Sequence, residues 1–217
     1  MNIFMDNWNK LLEIVTSTDQ ETRSKTLTQA DYEPFVKLFT EYCPPEQFPN
    51  VLDIGAGEGL ETLALMKYPY TGVDALNLGE HIDDNIPGLS INLDMHNLRP
   101  LISTISELDL ALYDAIFTLQ TFEHALAPLM VILECRKVLR DGGRIFIDVP
   151  DPDDPAMLET MQHSSVLYAN QWKALFTKAG FKIVADLSVK HRLQMFFEKL
   201  PDGSFPTWER IKSYYQV

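Results

Sequence analysis

A loop of alternating glycines with acidic residues is the first feature of this sequence that can do chemistry. It reads Asp-Ile-Gly-Ala-Gly-Glu-Gly from Asp53 to Gly59, directly after a short apolar run. Such glycines permit a tight turn with positive φ, and without side chains the backbone can touch a ligand. A helix after the loop would offer free N–H groups to a ligand carboxylate. The acidic residues favour a cationic ligand over a pyrophosphate, and we predict contacts from Asp53, Gly55, Ala56, Gly57, Glu58 and Gly59.

A carboxylate follows at the end of the next apolar run, Tyr70–Asp74. A carboxylate at the end of the second strand, about twenty residues beyond a glycine loop, can accept hydrogen bonds from both hydroxyls of a ribose. We therefore predict ligand contacts from Asp74 and its neighbour Ala75. The alternative, an aspartate that only caps a helix, stays open.

The elements that must position these residues alternate between strand and helix. The predicted strands are Val51–Ile54, Tyr70–Asp74, Leu89–Asp94, Asp114–Leu119 and Arg144–Val149. Five helices are predicted. They cover Trp8–Val15, a segment that starts near Asp31, a segment that starts at Leu60, Leu129–Arg140, and a segment that Asn170 caps and Gly180 ends. Continuous apolar strands separated by helices predict a buried parallel sheet. Two further runs, Phe181–Val189 and Arg192–Lys199, are separated by two residues only, so they must pair as an antiparallel hairpin.

This ordered set of motifs, from Val51 to Lys199, resembles the class I S-adenosylmethionine-dependent methyltransferases, and within them the small-molecule branch that includes ubiquinone biosynthesis. The resemblance implies an α/β fold, a Rossmann-like three-layer sandwich. Its seven-stranded sheet would be mostly parallel and end in a C-terminal antiparallel hairpin. It also implies S-adenosylmethionine as the cofactor and methyl transfer to an O, N or C nucleophile of a small-molecule acceptor.

The resemblance also implies roles for particular residues. Asp94 would recognise the adenine amine, the N–H of Met95 would reach the ring, and a loop aspartate that caps a turn is the alternative. The residues after the fourth strand would line the methionyl group; these are Gln120, Thr121 and Phe122. Leu139–Gly143 would form a turn before the fifth strand, with Asp141 where the family usually has proline.

A catalytic base is needed only if the acceptor must lose a proton, because the sulfonium leaving group is already activated. Candidates by location are His163, His124, Asp148 and Tyr168. We predict His163 and His124 as the catalytic residues. The alternatives are a solvated loop histidine at position 163 and, at 124, the structural histidine of the Glu-His pair that this branch often carries.

Composition narrows the partners. The formal net charge is −13 over 217 residues, which disfavours binding to nucleic acid or to anionic membranes. The motifs of DNA-base methylation, Asx-Pro-Pro-aromatic and Pro-Cys, are missing. Cys43 and Cys135 lack metal-ligand spacing and predict free thiols in a cytoplasmic protein. No apolar run approaches the about 20 residues of a membrane span.

We predict one domain over residues 1–217. It has an N-terminal helical cap (1–46), a Rossmann-like core (47–199) and a tail (200–217), and the cap and tail suit a homodimer surface or a cover for the pocket. No metal site is predicted, because the acidic loop from Asp151 to Asp154 favours solvation over Mg²⁺. Two other functions stay open: a non-catalytic domain that binds S-adenosylmethionine, and another nucleotide-cofactor Rossmann enzyme. The latter would be an aminopropyl transferase or an NAD-linked enzyme, of which the glycine spacing and the hairpin disfavour the NAD-linked one.

Overall fold

The computed structural model describes residues 27–77 and 90–202. The predicted helix around Trp8 and the tail from Pro206 lie outside the described residues, as do most of the cap and tail in which we predict a dimer surface. Within the described ranges no helix is long and apolar enough to cross a membrane.

The described chain alternates strands with helices. The strands are β1 (Asn50–Ile54), β2 (Gly72–Asn77), β3 (Ser90–Asn92), β4 (Tyr113–Leu119), β5 (Leu139–Pro150), β6 (Phe181–Asp186) and β7 (Arg192–Lys199). The helices are α1 (Gln29–Tyr42), α2 (Leu60–Leu65), α3 (Arg99–Glu107), α4 (Pro128–Val138), α5 (Pro155–Glu159) and α6 (Ala169–Lys178), and a 3-10 turn spans Phe122–His124.

All seven strands form one sheet in the order β3-β2-β1-β4-β5-β7-β6. Strands β1 to β5 pair in parallel, whereas β7 is antiparallel to both β5 and β6. The hairpin turn closes through two backbone hydrogen bonds between Val189 and Arg192, of 2.9 and 3.0 Å. The predicted mostly parallel seven-stranded sheet with its C-terminal hairpin is confirmed.

Each face of the sheet carries its own apolar layer. Helices α1 and α2 cover one face, where Phe35 and Phe39 pack with Val51 and Phe117. Helices α3, α4 and α6 cover the other face, where fully buried Trp172 belongs to the core. The molecule is therefore a three-layer sandwich, and its central strand β4 is buried along its whole length.

Helix α1 begins two residues before the predicted start. The side chain of Asp31 accepts hydrogen bonds from the backbone N–H (2.9 Å) and the hydroxyl (2.8 Å) of Thr28. This reciprocal cap satisfies amides at the helix start. The predicted apolar face of Tyr32, Phe35, Val36 and Phe39 is buried as expected.

Several other predicted boundaries are wrong: β6 ends at Asp186 and not at Val189, and α4 ends at Val138 and not at Arg140. Strand β2 continues past Asp74 to Asn77, because Ala75 and Leu76 pair with β1. The predicted turn Leu139–Gly143 belongs to β5, whose pairing with β4 shifts register between Tyr113 and Ala115, and Gly142 has a φ of 73° there. Helix α6 begins at Ala169, ahead of the predicted Asn170 cap, and Tyr168 donates its N–H to the side chain of Gln171.

Candidate functional site

A cavity of about 490 Å³ opens where β1, β2, β3 and β4 end. Parallel sheets bind ligands at this carboxyl edge because the loops diverge there. The described residues that line it are Ile54, Gly55, Leu76, Asn77, Leu93, Asp94, Met95, His96, Gln120, Thr121, His124 and Leu126. The walls are thus apolar, with polar groups placed between them, as in typical small-molecule sites.

The glycine loop makes the tight turn predicted for it. Gly55, Gly57 and Gly59 have φ values of 85°, 53° and 84°, a region that L side chains rarely adopt. A Cβ on Gly55 would lie 2.8 Å from the Cβ of Thr121 and closer still to its hydroxyl. Glycine at position 55 therefore allows the β1 and β4 loops to touch.

The first backbone N–H groups of this loop already donate hydrogen bonds within the protein. The N–H groups of Gly55 and Ala56 donate to the carbonyl of Leu76, at 2.8 and 3.2 Å. Glu58 is exposed, and helix α2 behind the loop has six residues. Of the loop residues predicted as contacts, Gly55 lines the cavity. The roles predicted for Ala56, Gly57, Glu58 and Gly59 stay predictions.

Asp53 faces the α1 side of the sheet and is 1% exposed. Its Oδ2 accepts a hydrogen bond of 2.6 Å from the hydroxyl of Thr62. Burial raises the pKa of Asp53 to about 7, against the lowering effect of the Thr62 bond. In the described chain this carboxylate ties the glycine loop to α2 and does not line the cavity.

The predicted ribose contact occupies an unexpected place. Asp74 lies within β2, opposite Leu52, and accepts a hydrogen bond of 2.7 Å from the Tyr113 hydroxyl. Asn77 instead ends the strand and lines the cavity, and its amide donates to the Gly57 carbonyl at 3.2 Å. Neither Asp74 nor Ala75 lines the cavity within the described residues.

Asp94 and Met95 both line the cavity, as predicted for a ligand contact. His96 donates its backbone N–H to Oδ1 of Asp94 at 2.9 Å, and its ring Nδ1 lies 2.6 Å from the same oxygen. These bonds lower the pKa of Asp94. The carboxylate is therefore charged and half-exposed at the cavity.

Gln120 is held by a buried polar network. Its φ is 50°, and its side-chain amide donates to Asp148 Oδ1 at 2.9 Å. The other oxygen of Asp148 accepts from Arg192 at 2.6 Å and from Gln194 at 2.8 Å. Asp148 is thus fully engaged beneath the cavity, which makes it a poor candidate for a base. Phe122, predicted beside Gln120, packs into the core near Phe176.

The two predicted catalytic histidines meet at the rim of the cavity. Their ring centroids are 5.1 Å apart at an angle of 68°. His124 lines the cavity directly, whereas His163 is not among the described residues that line it. Burial, with the nearby His124, lowers the pKa of His163 against the raising effect of its bond to Met157. Tyr168 is half-exposed at the start of α6.

A family model described as a methyltransferase domain matches residues 26–186. The chain belongs to this family. A ubiquinone biosynthesis O-methyltransferase from Maricaulis maris is 30% identical over 101 residues, which are 43% of this chain and 37% of that protein. The match thus spans just over a third of this curated relative.

Solved structures share the fold of this methyltransferase domain. An O-methyltransferase family protein from Burkholderia thailandensis has a TM-score of 0.61 and 16% identity, over 90% of this chain and 69% of that one. The N-terminal domain of EvdMO1 with S-adenosylhomocysteine bound has a TM-score of 0.55 and 16% identity, over 78% and 80%. The family and the fold predicted from the sequence are confirmed.

Sequence reasoning missed two polar residues of this methyltransferase cavity, Asn77 and His96, and its apolar lining residues Ile54, Leu76, Leu93 and Leu126. The apolar pair Ala75–Leu76 was the available signal for Asn77, because it extends the strand beyond Asp74. His96 directly follows two predicted contact residues, but a lone histidine in a loop carries no pattern.

Proposed function

We propose that this chain transfers a methyl group from S-adenosylmethionine to an O, N or C nucleophile of a small-molecule acceptor. The observation that carries the proposal is the cavity at the carboxyl edge, where Gly55, Asn77, Asp94 and Gln120 come together from four strands. The sulfonium of the cofactor supplies an activated methyl group, and transfer breaks the S–C bond and leaves a neutral thioether.

The residues present fit this cofactor. Apolar walls from Ile54, Leu76 and Leu93 suit the adenine ring. The charged carboxylate of Asp94 can accept a hydrogen bond from the adenine amine. The Cβ-free backbone of Gly55 lets a ligand approach closely. Gln120 extends from the Asp148 network towards the methionyl end predicted for it. His124 stands at the rim, where the acceptor would enter.

The direct test is calorimetry of the purified chain with S-adenosylmethionine, S-adenosylhomocysteine and NAD. We expect both sulfur compounds to bind and NAD not to. Tight NAD binding without binding of either sulfur compound would overturn the proposal. Transfer of labelled methyl groups to a metabolite extract then separates an enzyme from a domain that only binds the cofactor, for which no labelled product would form.

Two variants test which side chain binds the ribose. Asn77→Ala removes a polar group that lines the cavity. Asp74→Asn changes a carboxylate that does not line the cavity and that accepts a hydrogen bond from Tyr113. If Asn77 is the contact, its loss weakens S-adenosylhomocysteine binding by about 1–3 kcal/mol, and Asp74→Asn leaves the affinity near wild type. The reverse order of effects would restore the sequence-based assignment to Asp74.

The two cysteines of the chain bear on the compartment in which it works. Cys43 and Cys135 are free and buried, which supports a reducing compartment such as the cytoplasm.

We also expect a homodimer, which size-exclusion chromatography with light scattering tests directly. A monomer at micromolar concentration would contradict that expectation.

A further inference from the structure

Three metal-ligating side chains converge at the rim of the cavity. Glu123 and His124 belong to the 3-10 turn after β4, and His163 comes from the segment between α5 and α6. One ligand atom from each lies within 4.8 Å of the others. The two segments are joined by hydrogen bonds of 2.8 Å from the N–H groups of Ser164 and Ser165 to the Glu123 carbonyl.

Backbone carbonyls fix which ring nitrogen of each histidine carries the proton. Nδ1 of His124 lies 3.0 Å from the Gln162 carbonyl, and Nδ1 of His163 lies 2.9 Å from the Met157 carbonyl. A carbonyl only accepts, so each Nδ1 carries a proton and each neutral ring keeps a lone pair on Nε2. Metal-ligating histidines are oriented in this way, through a bond from the other nitrogen to a carbonyl.

Glu123 is the buried member of this cluster. The residue is 1% exposed, and its Oε2 is buried without a hydrogen-bond partner among the described residues. A buried carboxyl oxygen without a partner is costly, and a hydrogen-bond donor or a metal ion removes that cost. Nε2 of His124 lies 4.0 Å from Oε1, which is beyond hydrogen-bond distance. A bound cation would satisfy this carboxylate.

We propose that Glu123, His124 and His163 bind a divalent transition-metal ion of the Zn²⁺ type. Two imidazoles and one carboxylate suit Zn²⁺ and Co²⁺, whereas Mg²⁺ prefers oxygen ligands and octahedral geometry. Ligand distances of about 2.0–2.2 Å in a tetrahedral site place ligand atoms about 3.4 Å apart, so the side chains must close by at most about 1.4 Å. His124, with 39% of its side chain exposed, has room to turn.

Three protein ligands leave a fourth position free, as in zinc sites that bind a reactant. Because His124 also lines the cavity, the ion would lie at its edge. If the proposed methyl transfer is correct, an oxygen of the acceptor can complete the coordination. The metal site itself does not depend on that function.

The test titrates the metal-free chain with Co²⁺, followed by visible absorption, and then displaces Co²⁺ with Zn²⁺; Mg²⁺ serves as the control ion. Glu123→Gln and His163→Gln should each weaken Zn²⁺ binding by more than about 100-fold, since loss of a ligand's hydrogen-bonding partner alone costs about 10- to 100-fold. His191→Asn, which removes a histidine in the β6–β7 turn, should bind Zn²⁺ like wild type.

Unchanged Zn²⁺ affinity in both ligand variants, or equal affinity of the wild type for Mg²⁺, would overturn the metal site. S-adenosylhomocysteine titration of each variant checks folding, because His163 does not line the cavity. If His163→Gln binds neither Zn²⁺ nor S-adenosylhomocysteine, the test is repeated with His163→Asn, whose side chain can also donate a hydrogen bond to a carbonyl. Zn²⁺ binding without cofactor binding would overturn the proposed function alone, and the converse would overturn the metal site alone.

Discussion

At the residue scale, the contact between Gly55 and Thr121 joins two loops of the cavity. Thr121 donates its hydroxyl to the Leu119 carbonyl at 3.0 Å, which fixes the side chain against the glycine. The backbone of Gly55 is left-handed, with a φ of 85°. Both the space and the backbone conformation therefore demand glycine at this position.

Gly55→Ala should disrupt cofactor binding more than Gly57→Ala does. Both positions carry the strain of positive φ, about 1–2 kcal/mol for a residue other than glycine. The new methyl group at 55 also collides with Thr121, whereas at 57 the nearest atom lies 4.0 Å away. Calorimetry with S-adenosylhomocysteine and urea unfolding of both variants measure this difference, and equal effects would contradict it.

Asp53 predicts a pH dependence of stability. Burial raises its pKa from 3.8 to about 7, so between these values the folded chain binds more protons than the unfolded chain. Its contribution to stability is therefore full below pH 3.8 and is lost as the pH rises towards 7.

Asp53→Asn removes this titration. From pH 4.5 to pH 7.5 the variant should gain about 1 kcal/mol or more in unfolding free energy relative to wild type, since one pKa unit corresponds to about 1.4 kcal/mol. Urea unfolding at the two pH values is the measurement. The exposed Glu58→Gln serves as the control and should follow wild type. A constant difference between Asp53→Asn and wild type would rule out this titration.

At the scale of elements, the C-terminal hairpin supports the loop after β4. Strand β7 brings Arg192 and Gln194 to Asp148, which in turn bonds to Gln120. The guanidinium of Arg192 also lies 4.0 Å above the ring of Phe35 in α1. One side chain thus links the hairpin, strand β5 and the first described helix.

Arg192→Met should destabilise the fold by about 3–5 kcal/mol, because it leaves a buried carboxylate without its cation. Adding Asp148→Asn should recover part of that loss. The control Lys182→Met removes a half-exposed partner of Glu198 and should cost less than about 1 kcal/mol. Urea unfolding measures all three variants against wild type. Arg192→Met with wild-type stability would show that the pair is not needed.

The elements were easier to predict than the contacts between them. Two residues between the last apolar runs leave only a hairpin, so that pairing follows from the sequence. The end of β2 does not follow from the sequence, because either Asp74 or Asn77 can end an apolar run. Pairing with β1 decides where the strand ends. The approach of His163 to Glu123 depends on a loop held by backbone hydrogen bonds, which no local pattern encodes.

At the scale of the whole molecule, the net charge of −13 creates a negative potential that favours cationic ligands. S-adenosylmethionine carries a positive sulfonium, and S-adenosylhomocysteine has a neutral sulfur in its place. If the proposed cofactor is correct, raising NaCl from about 0.05 to 0.5 M should weaken the binding of S-adenosylmethionine roughly twofold more than that of S-adenosylhomocysteine, because salt screens the potential. Calorimetry across the salt series tests this, and parallel weakening would contradict it.

The position of β7 between β5 and β6 has a consequence for biosynthesis. A ribosome releases the parallel strands first, and the edge of β5 then has no neighbour until Arg192–Lys199 has emerged. Until that moment Asp148 lacks Arg192 and Gln194, so Gln120 rests on an incomplete support. A nascent chain halted before Arg192 should therefore be open to proteolysis near the cavity, and the same chain extended past Lys199 should resist it.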